Sequence, residues 1–274
     1  MSDAPTGPDV LFDVDGNVAT LTLNRPHRRN AISFSMLDLL SEHLTAAERD
    51  RGVRCVIITG AGKGFCSGLD LQDAAAGTGI GGGGSLGGGG GGGAALGNTR
   101  DLPTVILQEM DTPVIAAING AAAGYGLDLA LGCDLRLMAS STRLLPGFAK
   151  RGVVPESGGT WYLPRLVGWA KACEIGFLGR DLDAAEADRL GLVNLVVDDD
   201  ELLATTRAWA TEIAANAPLA VQAIKRLYRH GLTEDFSSHT HHVLLQVMQL
   251  FGTKDFAEGV TAFLEKRDPQ FEGR

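Results

Sequence analysis

The chain lacks long apolar runs, an excess of positive charge and paired cysteines, and each deficit removes a class of function. No stretch of its 274 residues approaches the length needed to cross a bilayer, so a membrane-spanning role is not expected. Lys and Arg number 24 against 33 Asp and Glu, a formal net charge of −9, which argues against nucleic acid or an anionic membrane as the main partner. The four cysteines, Cys55, Cys66, Cys133 and Cys173, stand singly without C-x-x-C spacing, so reduced thiols are expected rather than disulfides or a zinc site. Residues 1–9 carry no basic-then-apolar signal pattern, and the expectation is a cytoplasmic protein.

What is present is an ordinary globular composition, 45% hydrophobic and 21% charged, in a chain long enough to bury a full core. Residues 18–23 alternate as a strand and end at Asn24-Arg25-Pro26. Ser33 can cap a helix to about residue 51, with Phe34, Leu37, Leu40 and Leu44 at helical spacing, and a second strand follows over 53–59. Strand, helix and strand make a parallel crossover unit. Further strands are expected at 113–118, 134–139 and 142–145, and a helix from Asn98 or Thr99 to about 110, although Pro103 restricts its start. From 161 onward the patterns are helical: 161–167, 170–178, 184–190, 201–215, 219–229, 234–250 and 255–266. The chain therefore reads as an α/β core over 1–200 and a helical region over 201–274. Residues 77–97 are almost entirely glycine with small residues, which cannot repay the entropy of ordering and read as a flexible loop, either a lid or a neutral insertion.

Two glycine-rich stretches carry candidate chemistry. Asn119-Gly120-Ala121-Ala122-Ala123-Gly124-Tyr125-Gly126-Leu127-Asp128 follows an apolar strand and opens a small-residue helix, whose unpaired N–H groups and partial positive charge suit a developing oxyanion. A tight packing joint is the competing reading. Gly60-Ala61-Gly62-Lys63-Gly64-Phe65-Cys66-Ser67-Gly68-Leu69-Asp70 resembles a phosphate loop only superficially, because Ile57 stands where the first P-loop glycine is needed and Gly64 where Ser or Thr must follow the lysine. No G-x-S-x-G elbow surrounds Ser67 either, since Phe65 occupies its first glycine position. Arg28 and Arg29 in the loop before the first helix fit phosphate binding or simple solvation equally. His239, His241 and His242 invite a metal reading, but only His239 and His242 share a helical face and no carboxylate cluster is evident beside them, so a solvated or interfacial helix is expected and no metal.

Together with Pro155-Glu156-Ser157-Gly158-Gly159, Leu163-Pro164-Arg165, residues 187–193 and Ala262-Phe263-Leu264-Glu265-Lys266-Arg267, these stretches resemble the crotonase superfamily, the enoyl-CoA hydratase/isomerase family, over about residues 10–267. The resemblance implies an α/β fold, a spiral of ββα units with a helical C-terminal trimerisation region, and a homotrimer or a dimer of trimers. It implies an acyl-CoA thioester as substrate, with no cofactor beyond the coenzyme A that is part of it, and no nucleic acid or membrane partner. The thioester oxygen would sit between two backbone N–H donors that map to Leu69 and Tyr125, where one such donor is typically worth about 3–4 kcal/mol.

The family's hydratases use two glutamates. The first maps to Asp128, a shorter acid, and the second to Phe148, which transfers no proton. Glu156 falls where the family's isomerases carry their acid, and a single carboxylate can move a proton from C2 to C4 of a 3-enoyl thioester; a partly apolar pocket would raise its pKa. Asp128 is then an assisting acid or a helix carboxylate bonded to backbone. The resemblance also puts Arg28 and Arg29 near the CoA phosphates, Lys266 in the C-terminal helix that reaches a bound CoA, in some members from a neighbouring subunit, Cys66, Ser67 and Leu69 on the loop that receives the adenine, and Phe148 in the substrate pocket. Isomerisation of 3-enoyl-CoA to 2-enoyl-CoA is the preferred expectation; hydration of a 2-enoyl-CoA, or a binding protein without catalysis, are the alternatives.

Overall fold

Asp15-Gly16-Asn17-Val18 closes a two-residue hairpin, with Gly16 at φ +59, between strands β1 (Val10–Asp15) and β2 (Val18–Leu23). The computed structural model of the chain describes residues 7–70 and 99–274; the glycine-rich segment 77–97 lies outside them. Helix α1 (Phe34–Arg49) starts where the Ser33 side chain accepts the Met36 N–H, and its inward stripe is Met36, Leu40, Leu44 and Ala47. It returns the chain to β3 (Cys55–Gly60), buried at every residue and parallel to β2, as the crossover reading expects.

From β3 onward each coil gives one strand to each of two sheets. The large sheet has the order β1-β2-β3-β5-β7-β10, where β5 is Val114–Ile118, β7 is Leu135–Ala139 and β10 is Leu195–Val197, and only β1 runs antiparallel to its neighbour. The small sheet has the order β4-β6-β8-β9, built from Gly64–Cys66, Ala121–Ala123, Arg143–Leu145 and Leu182–Asp183. The sequence pattern misses β1, β4, β6, β9 and β10. All but β1 are two or three residues long, too short to establish an alternation.

The helices that follow in the described residues are α2 (Pro103–Glu109), α3 (Tyr125–Gly132), α4 (Gly159–Val167), α5 (Trp169–Leu178), α6 (Ala184–Arg189), α7 (Leu202–Ala215), α8 (Pro218–Gly231), α9 (Phe236–Phe251) and α10 (Lys254–Glu265). Pro103 is the first residue of α2, which therefore begins four residues later than Thr99, the later of the two expected caps. One face of the large sheet packs Leu21, Leu23, Ile58 and Ile118 against α1 and α3; the other packs Val18, Ile57, Ile115 and Leu137 against Leu202, Ala210 and Ala214 of α7. The division expected at residue 200 thus falls inside the packed body, because α7 supplies the cover for the second face of the sheet. Helices α9 and α10 by contrast leave Phe236, Met248, Phe263 and Leu264 exposed. At the start of α9, Glu234 faces His230, His239 and His242 at 2.9–3.5 Å, which supplies the carboxylate that the histidine pattern alone does not reveal. Among the described residues no group of three or more His, Cys, Asp or Glu has a metal-holding arrangement, and no helix is long and apolar enough to cross a membrane.

Two asparagines lock the coils together. Asn119 donates to Gly60 O (2.8 Å) and Gly62 O (3.0 Å) and accepts from Gly60 N–H (3.0 Å). Asn30, at φ +56, donates to Ala61 O (3.0 Å) and Gly64 O (2.8 Å) and accepts from Arg25 N–H (2.9 Å). Asn119→Ala leaves three backbone groups of the β3–β4 turn without these partners and is expected to cost about 2 kcal/mol or more in urea unfolding.

Candidate active site

The β4 turn and the start of α3 meet backbone to backbone. Gly68 is at φ +89 and Gly124 at φ +51, conformations that favour glycine, and a Cβ on Gly68 would lie 2.9 Å from Ala123 O. Ile32 N–H donates to Gly68 O (2.8 Å) and Asp70 N–H to Ile32 O (3.3 Å), a parallel bridge that turns the Leu69 N–H away from that neighbour. In α3 the Leu127 and Asp128 N–H groups both reach Gly124 O, at 2.9 and 3.1 Å, while the Tyr125 N–H precedes any possible partner in its own helix. Among the described residues no oxygen accepts a hydrogen bond from the Leu69 or the Tyr125 N–H.

Both residues border one cavity of about 610 Å³, lined also by Ser67, Phe148, Arg151, Val153, Val154 and Glu156. Glu156 is exposed, so the burial expected around the acid is not found there. Burial falls instead on its neighbours. Asp128 is 0% exposed, and desolvation pushes its carboxyl up to about 7, with the adjacent Glu156 adding to the rise and the Ser157 and Gly159 N–H groups opposing it. Tyr125 is 6% exposed; its phenol has no hydrogen-bond partner among the described residues and is driven well above its ordinary range by burial and by the nearby Cys66, Asp128 and Glu156.

The arginine loop is stitched to this site: Ser67 N–H donates to Arg29 O (3.1 Å) and the Ser67 hydroxyl to Arg28 O (3.4 Å). The Arg28 and Arg25 guanidiniums each lie 3.2 Å from Asp70 Oδ2, a nearly buried carboxylate, whereas Arg29 is exposed. Cys66 is not brought to the cavity surface. It is fully buried, its carbonyl and Cβ fill the space where Gly126 would carry a side chain, and burial pushes its thiol up to about 12. Lys266, exposed and at φ +56 at the end of α10, is not among the residues lining the cavity. Phe148, 7% exposed, forms a wall of the cavity and, with Val153 and Val154, of a second, apolar one of about 380 Å³ that continues to Leu131, Leu163 and Phe177. Sequence reasoning passes over Arg151, Val153 and Val154. They lie in a short charged loop, and nothing in its composition reveals that the Arg151 guanidinium turns back to Gly147 O (3.0 Å) beside the cavity.

A family described as enoyl-CoA hydratase/isomerase matches residues 13–274. The chain belongs to that family. It is 37% identical to a 1,2-epoxyphenylacetyl-CoA isomerase of Escherichia coli (strain K12), over 97% of this chain and 98% of that one. It is 35% identical to a short-chain-enoyl-CoA hydratase of Clostridium acetobutylicum, over 94% and 95%. The crystal structure of an enoyl-CoA hydratase from Bacillus anthracis superposes with a TM-score of 0.87 at 33% identity, covering 97% of this chain and all of that one. The two-sheet spiral is thus the crotonase fold, and the enoyl-CoA hydratase/isomerase family is the frame within which the cavity is to be understood.

The Asp128 carboxyl also links stability to pH. Its folded pKa of about 7 lies above the ordinary 3.8, so between these values the folded chain holds a proton that the unfolded chain releases, and stability falls as pH rises through that window. Asp128→Asn removes the ionisation: at pH 8 the variant is expected to be more stable than wild type by on the order of a few kcal/mol, with the gap closing towards pH 4, as read by urea unfolding at each pH.

Proposed function

We propose that the chain isomerises a 3-enoyl-CoA to a 2-enoyl-CoA, with Glu156 as the single proton carrier and the Leu69 and Tyr125 N–H groups as the oxyanion donors. The observation that carries this reading is the shared cavity: two backbone donors without acceptors among the described residues, and one exposed carboxylate, border the same space. With the thioester oxygen between the two N–H groups, ionised Glu156 removes a proton from C2. The C–H electrons become the C1–C2 π bond as the carbonyl π pair moves onto the thioester oxygen, giving a dienolate whose negative charge two donors stabilise. The protonated Glu156 then returns the proton to C4: the former C3–C4 π electrons form the new C4–H bond, C2 and C3 become doubly bonded, and the oxygen gives its charge back to the carbonyl. No water enters.

Phe148 supports this reading against hydration: it lines the cavity, and it is the residue to which the resemblance maps the second carboxylate of the hydratases. In the same frame exposed Arg29 and the Ser67–Leu69 backbone would receive the coenzyme A moiety, and the apolar surface of Phe148, Val153 and Val154 the acyl chain. Lys266 would reach a CoA from a neighbouring subunit. The uncovered Phe236, Met248, Phe263 and Leu264 side chains support burial of the last two helices between copies, in a trimer or a dimer of trimers. Hydration of a 2-enoyl-CoA is the second reading, favoured by the buried Asp128 beside Glu156, which supplies two carboxyls within electrostatic reach of each other.

Purified protein offered a 3-enoyl-CoA and a 2-enoyl-CoA, followed by the absorbance of the conjugated thioester and by product chromatography, separates these readings. Glu156→Gln is expected to lower kcat for isomerisation by about 10²-fold or more with little change in KM. Isomerisation that survives the substitution at full rate overturns the base assignment, and turnover of the 2-enoyl substrate alone establishes hydration.

A further inference from the structure

We propose that Asp128 is a positioning residue, holding from inside helix α3 the turn that carries Glu156 and exchanging no proton with the substrate; this rests on the assignment of Glu156 as the proton carrier. The residue lies one helical turn beyond Tyr125, in the first turn of α3. Its Oδ2 accepts the N–H of Ser157, the residue after Glu156, at 3.0 Å in a buried bond. Its Oδ1 occupies the room in which residue 159 would carry a Cβ, and Gly159 leaves that room open. Gly158, at φ +108, makes the bend that brings Ser157 and Gly159 round the carboxyl.

The Ser157–Gly159 end of the turn that carries Glu156 is therefore built around one side chain. A carboxyl so enclosed is a poor proton carrier. Asp128 is 0% exposed and lines the apolar cavity of about 380 Å³, not the cavity that Leu69, Tyr125 and Glu156 share. What the arrangement does supply is a common reference. Helix α3 presents the Tyr125 N–H at its first residue and anchors the base through its fourth, so oxyanion donor and proton carrier are held by the same rigid turn of helix. Displacements of about 1 Å at such a pair are enough to cost roughly 10²-fold in rate. Among the described residues the titratable side chains around Asp128 are Tyr125 on its own helix, Glu156 on the turn and Cys173 across the apolar cavity.

The test compares wild type, Asp128→Ala, Asp128→Asn and Glu156→Gln on a 3-enoyl-CoA over about pH 5 to 9, reading kcat, KM and the thermal midpoint of each. Asp128→Ala loses the acceptor: kcat is expected to fall about ten- to hundredfold, while KM stays within about threefold and the thermal midpoint at pH 8 does not drop. Asp128→Asn keeps a carbonyl oxygen for the Ser157 N–H and is expected to recover most of the lost kcat, with a pH profile that superimposes on that of wild type. The proposal is overturned if Asp128→Asn is as impaired as Glu156→Gln or loses one limb of the profile, since Asp128 then carries a proton itself. It is also overturned if Asp128→Ala keeps its full rate, or loses rate only in step with its folded fraction. A second readout is independent of turnover: the Ser157 amide resonance of 15N-labelled wild type is expected to shift as pH passes through about 7, and not to shift in Asp128→Asn. A Ser157 resonance that stays fixed in wild type removes the anchor. Full activity of Glu156→Gln, with Ser157 titrating as expected, leaves the anchor standing and removes the catalytic reading on which its purpose rests.

Discussion

Everything at the site depends on how closely two peptide planes can approach. The β4 turn and the head of α3 touch at Gly68, Ala123 and Gly124 with no side chain between them, and this contact lets two N–H groups from chain segments more than fifty residues apart border one cavity. Such an approach is stable only if the flanking coils hold their register. The two sheets do this: β4 pairs with β6 and β6 with β8, while the strands that precede them pair in the same succession in the large sheet. Asn119 and Asn30 then tie the turns by hydrogen bonds that neither sheet provides.

The elements legible in the sequence were those with room to repeat a pattern. Helix α1 declares itself by Ser33 and a stripe of leucines, and β3 and β5 by continuous burial with β-branched residues. The three-residue strands of the small sheet have no period to display, and their pairing is set by the coil above and the coil below. The candidate site divides the same way. Its glycines and Glu156 can be picked out because backbone approach and proton transfer each demand a residue type. Of its walls only Phe148 is placed, and that by the resemblance: Val153 and Val154 are ordinary apolar residues whose relevance is conferred by position. The exposure of Glu156 and the burial of Asp128 are likewise properties of packing, and a carboxylate looks the same in sequence whether it faces water or Leu131.

Burial also explains why the nucleophile-like groups nearby play no part in the proposed chemistry. Cys66 stands within the loop motif, yet it is enclosed against Gly126, where a thiolate has neither solvent nor a cation to sustain it. Asp70, the last residue of the same loop motif, is engaged by Arg25 and Arg28 and so joins the first loop to the second. The ionisable residues of the two loops thus serve mainly to fix the backbone, and the backbone presents the polar hydrogen atoms.

In the proposed mechanism the electrophilic half of the site is made of peptide N–H groups, and such a site has an unusual mutational profile. Replacement of Leu69 or Tyr125 by any residue but proline leaves an N–H in place, so drift in sequence erodes this half of the machinery only by moving the chain. Under that mechanism a substitution at 148 or 156 alters the groups that move or exclude a proton while the two N–H groups stay where the backbone puts them.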